Sequence, residues 1–202
     1  MNEIKFTKII AANGFSKVSF TQFAKDMSNM FPYFEDKETM VELKTMYDNI
    51  ILPTRSTEES AGYDFYAPFD FTLKPGNTIK IPTGIRVEIN PTWFLMACPK
   101  SGLGSKYHVK FSNTIGIVDA DYFHADNEGH IFLELVMPQI NFGMNDSENL
   151  CFGKDLRTHV DTMEIKSGNK FAQGIFLPYG VVENDEDTSK SKRTGGFGST
   201  GK

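Results

Sequence analysis

The stretch TIKIPTGIRVEINPTWFLMACP, Thr78 to Pro99, decides the fold class. It holds three apolar runs, TIKIP, IRVEI and WFLMA, punctuated by the turn signals PTG and NPT. Each run is too short for a stable helix and dense in β-branched or aromatic residues, so each predicts a strand. Working outward, AGYDFYA, HVKF, HIFLELVM, MEIK and FAQGIFLP have the same texture, separated by PGNT, SGLGS and SGNK. Many short strands at this spacing predict an all-β fold, a jelly-roll-like barrel or sandwich.

The N-terminal quarter reads differently. IKFTKI, Ile4 to Ile9, alternates as a strand would. Phe20, Phe23, Ala24 and Met27 then recur at helical spacing, as do Met40, Leu43 and Tyr47, with Pro32 dividing the two helices. The expected plan is a β domain over residues 1–180 with a helical insertion at 11–49. A polar linker follows at 181–192, VVENDEDTSKSK, with little to bury. The chain closes on a glycine-rich arm at 193–202, RTGGFGSTGK, which is costly to order unless something binds it.

Composition narrows the function classes. With 202 residues, 40% hydrophobic and 23% charged, the chain can build one sizeable core. A net charge of -5 argues against duplex nucleic acid held by phosphate contacts, though a local cationic pocket can still take a polyphosphate. Two cysteines, Cys98 and Cys151, make no disulfide framework, and Cys98 reads as a core residue. There is no apolar run of signal-peptide or membrane-span character, so an intracellular, cytoplasmic chain is expected.

Several segments could carry chemistry. NTIGIVDADY sets Asp119 and Asp121 two apart, with Tyr122 adjacent. One carboxylate could align a water as general base and the ring could floor a sugar pocket; a polar loop with a core tyrosine fits equally. Asn113 could read a base edge or close a turn. CPKSGLGSKY groups Lys100, Ser101, Gly102 and Gly104, either an anion-binding nest or a hairpin turn. Gln173 is an amide in an otherwise apolar strand and needs partners. Asp64 lies between aromatics, and His124 and His130 read as solvated loop residues.

In this order, AGYDFYA, PKSGLGS, NTIGIVDADY, KFAQGIF and GGFGSTG resemble the homotrimeric deoxyuridine triphosphatase family, from roughly Pro53 to Gly201. The resemblance implies hydrolysis of dUTP to dUMP and pyrophosphate, with Mg²⁺, in sites shared among three chains. It implies that Asp119 holds the attacking water and contacts the 3′-hydroxyl, and that Tyr122 packs against C2′ of the sugar. Asn113 and the hairpin backbone, including Gly116, would read uracil. Lys100, Ser101 and Gly102 would contact phosphate, Lys100 standing where the family generally has arginine. Asp64 would touch the Mg²⁺ hydration shell through water, and Gln173 would assist the attacking water. In the arm, Phe197 would close over uracil and Gly198, Ser199 and Thr200 would bind phosphate.

The departures are as informative. Lys192 occupies the place of the family's arm arginine, so Arg193 is assigned to the terminal phosphate because guanidinium binds phosphate bidentately. The hairpin DADYFHADNEGHI and the connection at 139–161 are longer than usual, and the insertion at 11–49 offers a place for a regulatory protein partner. Two rivals stand beside the hydrolase: a dCTP deaminase or bifunctional relative using Glu134 of FLEL, and a regulatory binding protein without turnover.

Overall fold

The computed structural model describes residues 9–31, 37–139 and 162–184. The three runs of the opening stretch become β5 (Thr78–Pro82), β6 (Ile85–Ile89) and β7 (Trp93–Pro99). Their alternation puts Ile81, Ile85, Val87, Ile89, Leu95 and Ala97 in the core. The three strands nevertheless go to three different sheets. β5 pairs with β10 (Phe132–Val136), which also pairs with β8 (Lys110–Phe111), while β6 pairs with β1 (Ala12–Lys17). β7 enters a five-stranded sheet ordered β2 (Thr54–Arg55), β3 (Tyr63–Tyr66), β12 (Lys170–Pro178), β7, β9 (Gly116–Asp119). β4 (Phe71–Leu73) and β11 (Met163–Ile165) make a fourth sheet, and all these pairings are antiparallel.

Three expectations are corrected. The fold is mixed rather than all-β, with helices α1 (Phe20–Met30), α2 (Lys37–Asp48) and α3 (Ser101–Tyr107), and its sheets close no barrel among the described residues. Residues 4–8 of the expected first strand lie outside the described residues, and Ile9 belongs to no strand. The observed strand is Ala12–Lys17, inside the stretch assigned to the insertion. Its signal is weak because the pairing register shifts between Ala12 and Gly14. One large residue anchors it: Phe15, whose ring lies 5.3 to 5.8 Å from those of Tyr63, Phe65 and Phe176. Thirdly, SGLGSKY is a short helix rather than a hairpin turn. No helix among the described residues is long and apolar enough to cross a membrane.

Helix α1 forms where its pattern puts it. Ser19 caps it, its hydroxyl accepting the Gln22 N–H at 3.1 Å, and Phe23, Ala24 and Met27 are buried. Burying a side chain of the Phe or Met class contributes roughly 1.5–3 kcal/mol. The first turn of α1 has no acidic residue, but Glu128 supplies one from the loop after β9. Ser19 donates its N–H and its hydroxyl to that carboxylate at 2.7 and 2.6 Å. An anion there favours the positive end of the helix. α2 is treated symmetrically: Lys17 donates to the carbonyls of Tyr47 and Asp48, at 2.8 and 2.9 Å, at the negative end.

His130 is a further correction, for it is fully buried rather than solvated. Its Nε2 accepts the Gly84 N–H at 2.8 Å, so Nδ1 carries the hydrogen and donates to Asp26 at 2.6 Å. Gln22 donates to the same Asp26 oxygen at 2.8 Å. The histidine's partners are 46 and 104 residues away in sequence, which is why its surroundings could not be read locally. At Gly84, φ is +73°, and an added Cβ would lie 3.3 Å from Phe23 of α1 and 2.3 Å from the end of the Ile50 side chain, so the left-handed backbone and the close packing both favour glycine.

The loop after β9 begins with a 3-10 turn, Ala120–His124, and returns through Glu128 and Gly129, both at positive φ (58° and 71°). A Cβ at Gly129 would stand 2.8 Å from the Phe123 Cα and the Tyr122 carbonyl oxygen, backbone atoms with no slack. Gly129→Ala is therefore expected to cost about 2 kcal/mol or more. A thermal melt should show a clear loss for this variant and little change for Gly180→Ala, where an added Cβ meets nothing within 4 Å.

Candidate active site

The five-stranded sheet arranges the candidates. Directly opposed residues share a face, so Asp64, Gln173 and Cys98 form one row on its outer side. Two rows along, Leu177, Phe94 and Asp119 form another, with Ile175, Met96 and Ile117 between. Asp119 is exposed at the end of β9 and precedes the 3-10 turn. Four residues along the strands is about 13 Å, and two strand spacings across is about 10 Å. Asp119 and Gln173 of one chain are thus separated by roughly 16 Å along the face, too far to hold one water. Cys98, expected in the core, is half-buried on this outer face.

A cationic cluster is built around Asp64, whose residue is only 2% exposed. Lys100 donates to its Oδ1 at 2.6 Å, Ser56 to its Oδ2 at 2.6 Å, and Lys170 lies 2.8 Å from Oδ2. Burial alone would raise the pKa of this carboxyl; the hydrogen bonds from Lys100, Lys170 and Ser56 outweigh it and hold the value at about 2. Ser101 and Gly102 open α3 just beyond Lys100, both exposed. Lys170 and Ser56 escaped sequence reasoning. Lys170 was visible at the head of KFAQGIF, but its reach to Asp64 depends on the pairing of β12 with β3.

Asn113 and Gly116 fall elsewhere, lining a cavity of about 280 Å³ with Lys80, Phe111, Ser112, Phe132, Leu133 and Glu134. Glu134 accepts the Ser112 hydroxyl at 2.8 Å. Tyr122 is 1% exposed, its hydroxyl donating to the His130 carbonyl at 2.7 Å. Of the two readings of this ring, its burial fits the core tyrosine; a sugar reaches it only if the residues covering it are displaced. Arg193, Phe197, Gly198, Ser199 and Thr200, with Lys192, lie outside the described residues.

Among the described residues, no group of three or more His, Cys, Asp or Glu side chains could cage a metal ion. Asp64 already accepts three donors, leaving capacity for one more, which fits contact with a hydrated Mg²⁺ and not a direct all-protein site.

Because the folded pKa of Asp64 is depressed from 3.8 to about 2, its contribution is present above pH 4 and lost as pH falls through 2. The pairing is expected to be worth about 2 kcal/mol at neutral pH. Acid unfolding should show the stability gap between the unaltered chain and Asp64→Asn narrowing between about pH 4 and pH 2.

Comparison with known proteins places this architecture. The sequence pattern of the dUTPase family matches residues 48–126. A deoxyuridine 5'-triphosphate nucleotidohydrolase of Lactococcus lactis is 36% identical over 163 residues, covering 79% of this chain and 95% of the relative. The Haemophilus influenzae enzyme of the same name is 32% identical over 159 residues, 75% of this chain and 87% of the relative. The crystal structure of a dUTPase from Streptococcus mutans superposes with a TM-score of 0.54 at 21% identity, covering 85% of this chain and 99% of that one. The dUTPase from phage phi11 of S. aureus gives 0.51 at 23% identity, covering 67% and 88%. The matched stretch includes Ser56, Asp64, Lys100, Asn113, Gly116 and Asp119, and by this match and its identity to the Lactococcus lactis relative the chain belongs to the dUTPase family.

Proposed function

We propose that Asp119 holds the water with which this dUTPase hydrolyses dUTP to dUMP and pyrophosphate, in a site completed by neighbouring copies of the chain. The observation that carries this reading is the separation on the outer sheet face. Asp119 and the cluster of Asp64, Lys100 and Gln173 occupy opposite ends, with Ile117 (40% exposed) and half-buried Met96 and Ile175 between them. An apolar strip flanked by polar chemistry is what a subunit contact covers. Trimeric assembly is typical of the family, and a homotrimer would bring Asp119 of one chain to the cluster of another. The same reading takes the four sheets as layers of a jelly-roll-like sandwich and places the chain, with its nucleotide substrate, in the cytoplasm.

Each group then has a task. Lys100 and Lys170, with the backbone and hydroxyl at Ser101 and Gly102, receive the phosphates and offset charge that grows on the leaving pyrophosphate. Asn113 and the backbone near Gly116 read uracil from the cavity beside β10. Asp119 orients the water towards the α-phosphorus and accepts its proton, and Gln173 of another copy supports that water. Mg²⁺, when bound by the triphosphate, supplies charge neutralisation and a fixed phosphate geometry. Asp64 would contact its hydration shell. Tyr122 supports the Asp119 turn from below and meets C2′ of the sugar once uncovered. Arg193, Phe197, Gly198, Ser199 and Thr200 close over phosphate and base, and the exposed Met40 and Val41 of α2 leave the insertion open to a protein partner.

A second reading has one specific observation in its favour. Glu134 lines the same cavity as Asn113 and Gly116, so a carboxylate stands where a base would sit. Ammonia released from dCTP would establish deamination beside hydrolysis; pyrophosphate from dUTP without ammonia from dCTP leaves hydrolysis alone.

Asp119→Asn is expected to lower kcat on dUTP by about 10²–10⁴ while a non-hydrolysable dUTP analogue binds within about threefold of normal. Full turnover by that variant removes the proposed role. Mixing inactive Asp119→Asn chains with inactive Gln173→Ala chains, and letting subunits exchange, should restore activity if the two groups come from different copies. No recovery despite exchange would argue for a site within one chain.

A further inference from the structure

The loop that carries Tyr122 away from Asp119 is clasped by helix α1 at two places. At the start of the helix, Glu128 binds the N–H and hydroxyl of Ser19. Further along the helix, buried Asp26 takes the Nδ1–H of His130. The contacts then run on to the candidate site. The His130 carbonyl accepts the Tyr122 hydroxyl at 2.7 Å, and Asn127 donates to that hydroxyl at 2.8 Å. Tyr122 belongs to the 3-10 turn that starts at the residue after Asp119. Arg86 holds the turn from the other side, donating to the Phe123 carbonyl at 2.8 Å and lying 3.7 Å from the centre of its ring. Both imidazole nitrogens are committed, one to Asp26 and one to Gly84, which fixes the tautomer and the ring orientation.

A buried carboxylate–imidazole pair is a poor source of stability compared with apolar packing of the same volume. It does fix geometry, because both groups are satisfied in only one arrangement. We infer that Asp26 and His130 are positioning residues: through Tyr122 they set the turn that presents Asp119, so the helical insertion tunes the chemical step. This rests on the reading of Asp119 as the residue that holds the attacking water.

The test compares Asp26→Ala, Asp26→Asn and Leu43→Ala in the full chain. Leu43 is fully buried on α2 and, being apolar, takes part in none of these hydrogen bonds, so its variant loosens the insertion without removing a member of the pair. Asp26→Ala should lose about tenfold to a hundredfold in kcat on dUTP with KM held within about threefold. Asp26→Asn keeps an oxygen for Gln22 and His130 and should restore kcat to within about threefold of normal. Leu43→Ala, at a comparable fall in melting temperature, should keep its kcat. Amide hydrogen exchange without nucleotide should rise over residues 119–130 in Asp26→Ala but not in Leu43→Ala. If Asp26→Ala does not fold, Asp26→Ser takes its place.

Unchanged kcat and unchanged exchange in Asp26→Ala would overturn the inference. So would equal losses in Asp26→Ala and Leu43→Ala, which would make the insertion a stabiliser only. Absence of turnover by the unaltered chain would count against the hydrolase reading, while the exchange measurement would still decide the coupling.

Discussion

The arrangement depends on the two-residue period of the five-stranded sheet. Because opposed residues share a face, the pairing of β3, β12, β7 and β9 puts Asp64, Gln173, Ile117 and Asp119 on one side and Phe65, Ala97 and Val118 on the other. A slip of one residue in any of these ladders would turn the outward-facing groups of that strand inward and bring its core residues to the surface. The same register places the charged groups at opposite ends of the face. The face of one chain thus keeps these groups apart, and the subunit contact proposed above would cover the apolar strip and join its ends.

Electrostatics sharpen the point at Asp64. Taking a carboxylate almost wholly out of water is unfavourable unless it is paired. Here two lysines and a serine hydroxyl surround it, and their hydrogen bonds outweigh the burial. The carboxylate in turn orders two flexible lysine side chains in one place. In a protein of net charge -5, such a local concentration of cations is what a triphosphate requires.

The loop after β9 and the N-terminal helices form one structural unit. The long loop after β9 and the helical insertion near the N-terminus are far apart in sequence, yet they cap and pin one another through Ser19 with Glu128 and Asp26 with His130. The glycines at 84 and 129 permit this contact, one by letting the insertion reach the sheet backbone, the other by letting the loop turn tightly under Tyr122. The apolar stripe of α1 could be read from its spacing, but the polar residues on its buried side had no visible purpose until their partners were known.

The sequence by itself determined most strands from Tyr63 onward, though not Phe71–Leu73 or Gly116–Asp119, together with the two N-terminal helices and the family, because each is written in local periodicity or in contiguous motifs. Only the tertiary structure decided which strands pair, that Ala12–Lys17 is a strand, that Lys170 and Ser56 join Asp64, and that His130 and Tyr122 are buried. These are contacts between residues 8 to 111 positions apart, and no local pattern of hydrophobicity encodes which distant residue satisfies a given polar group.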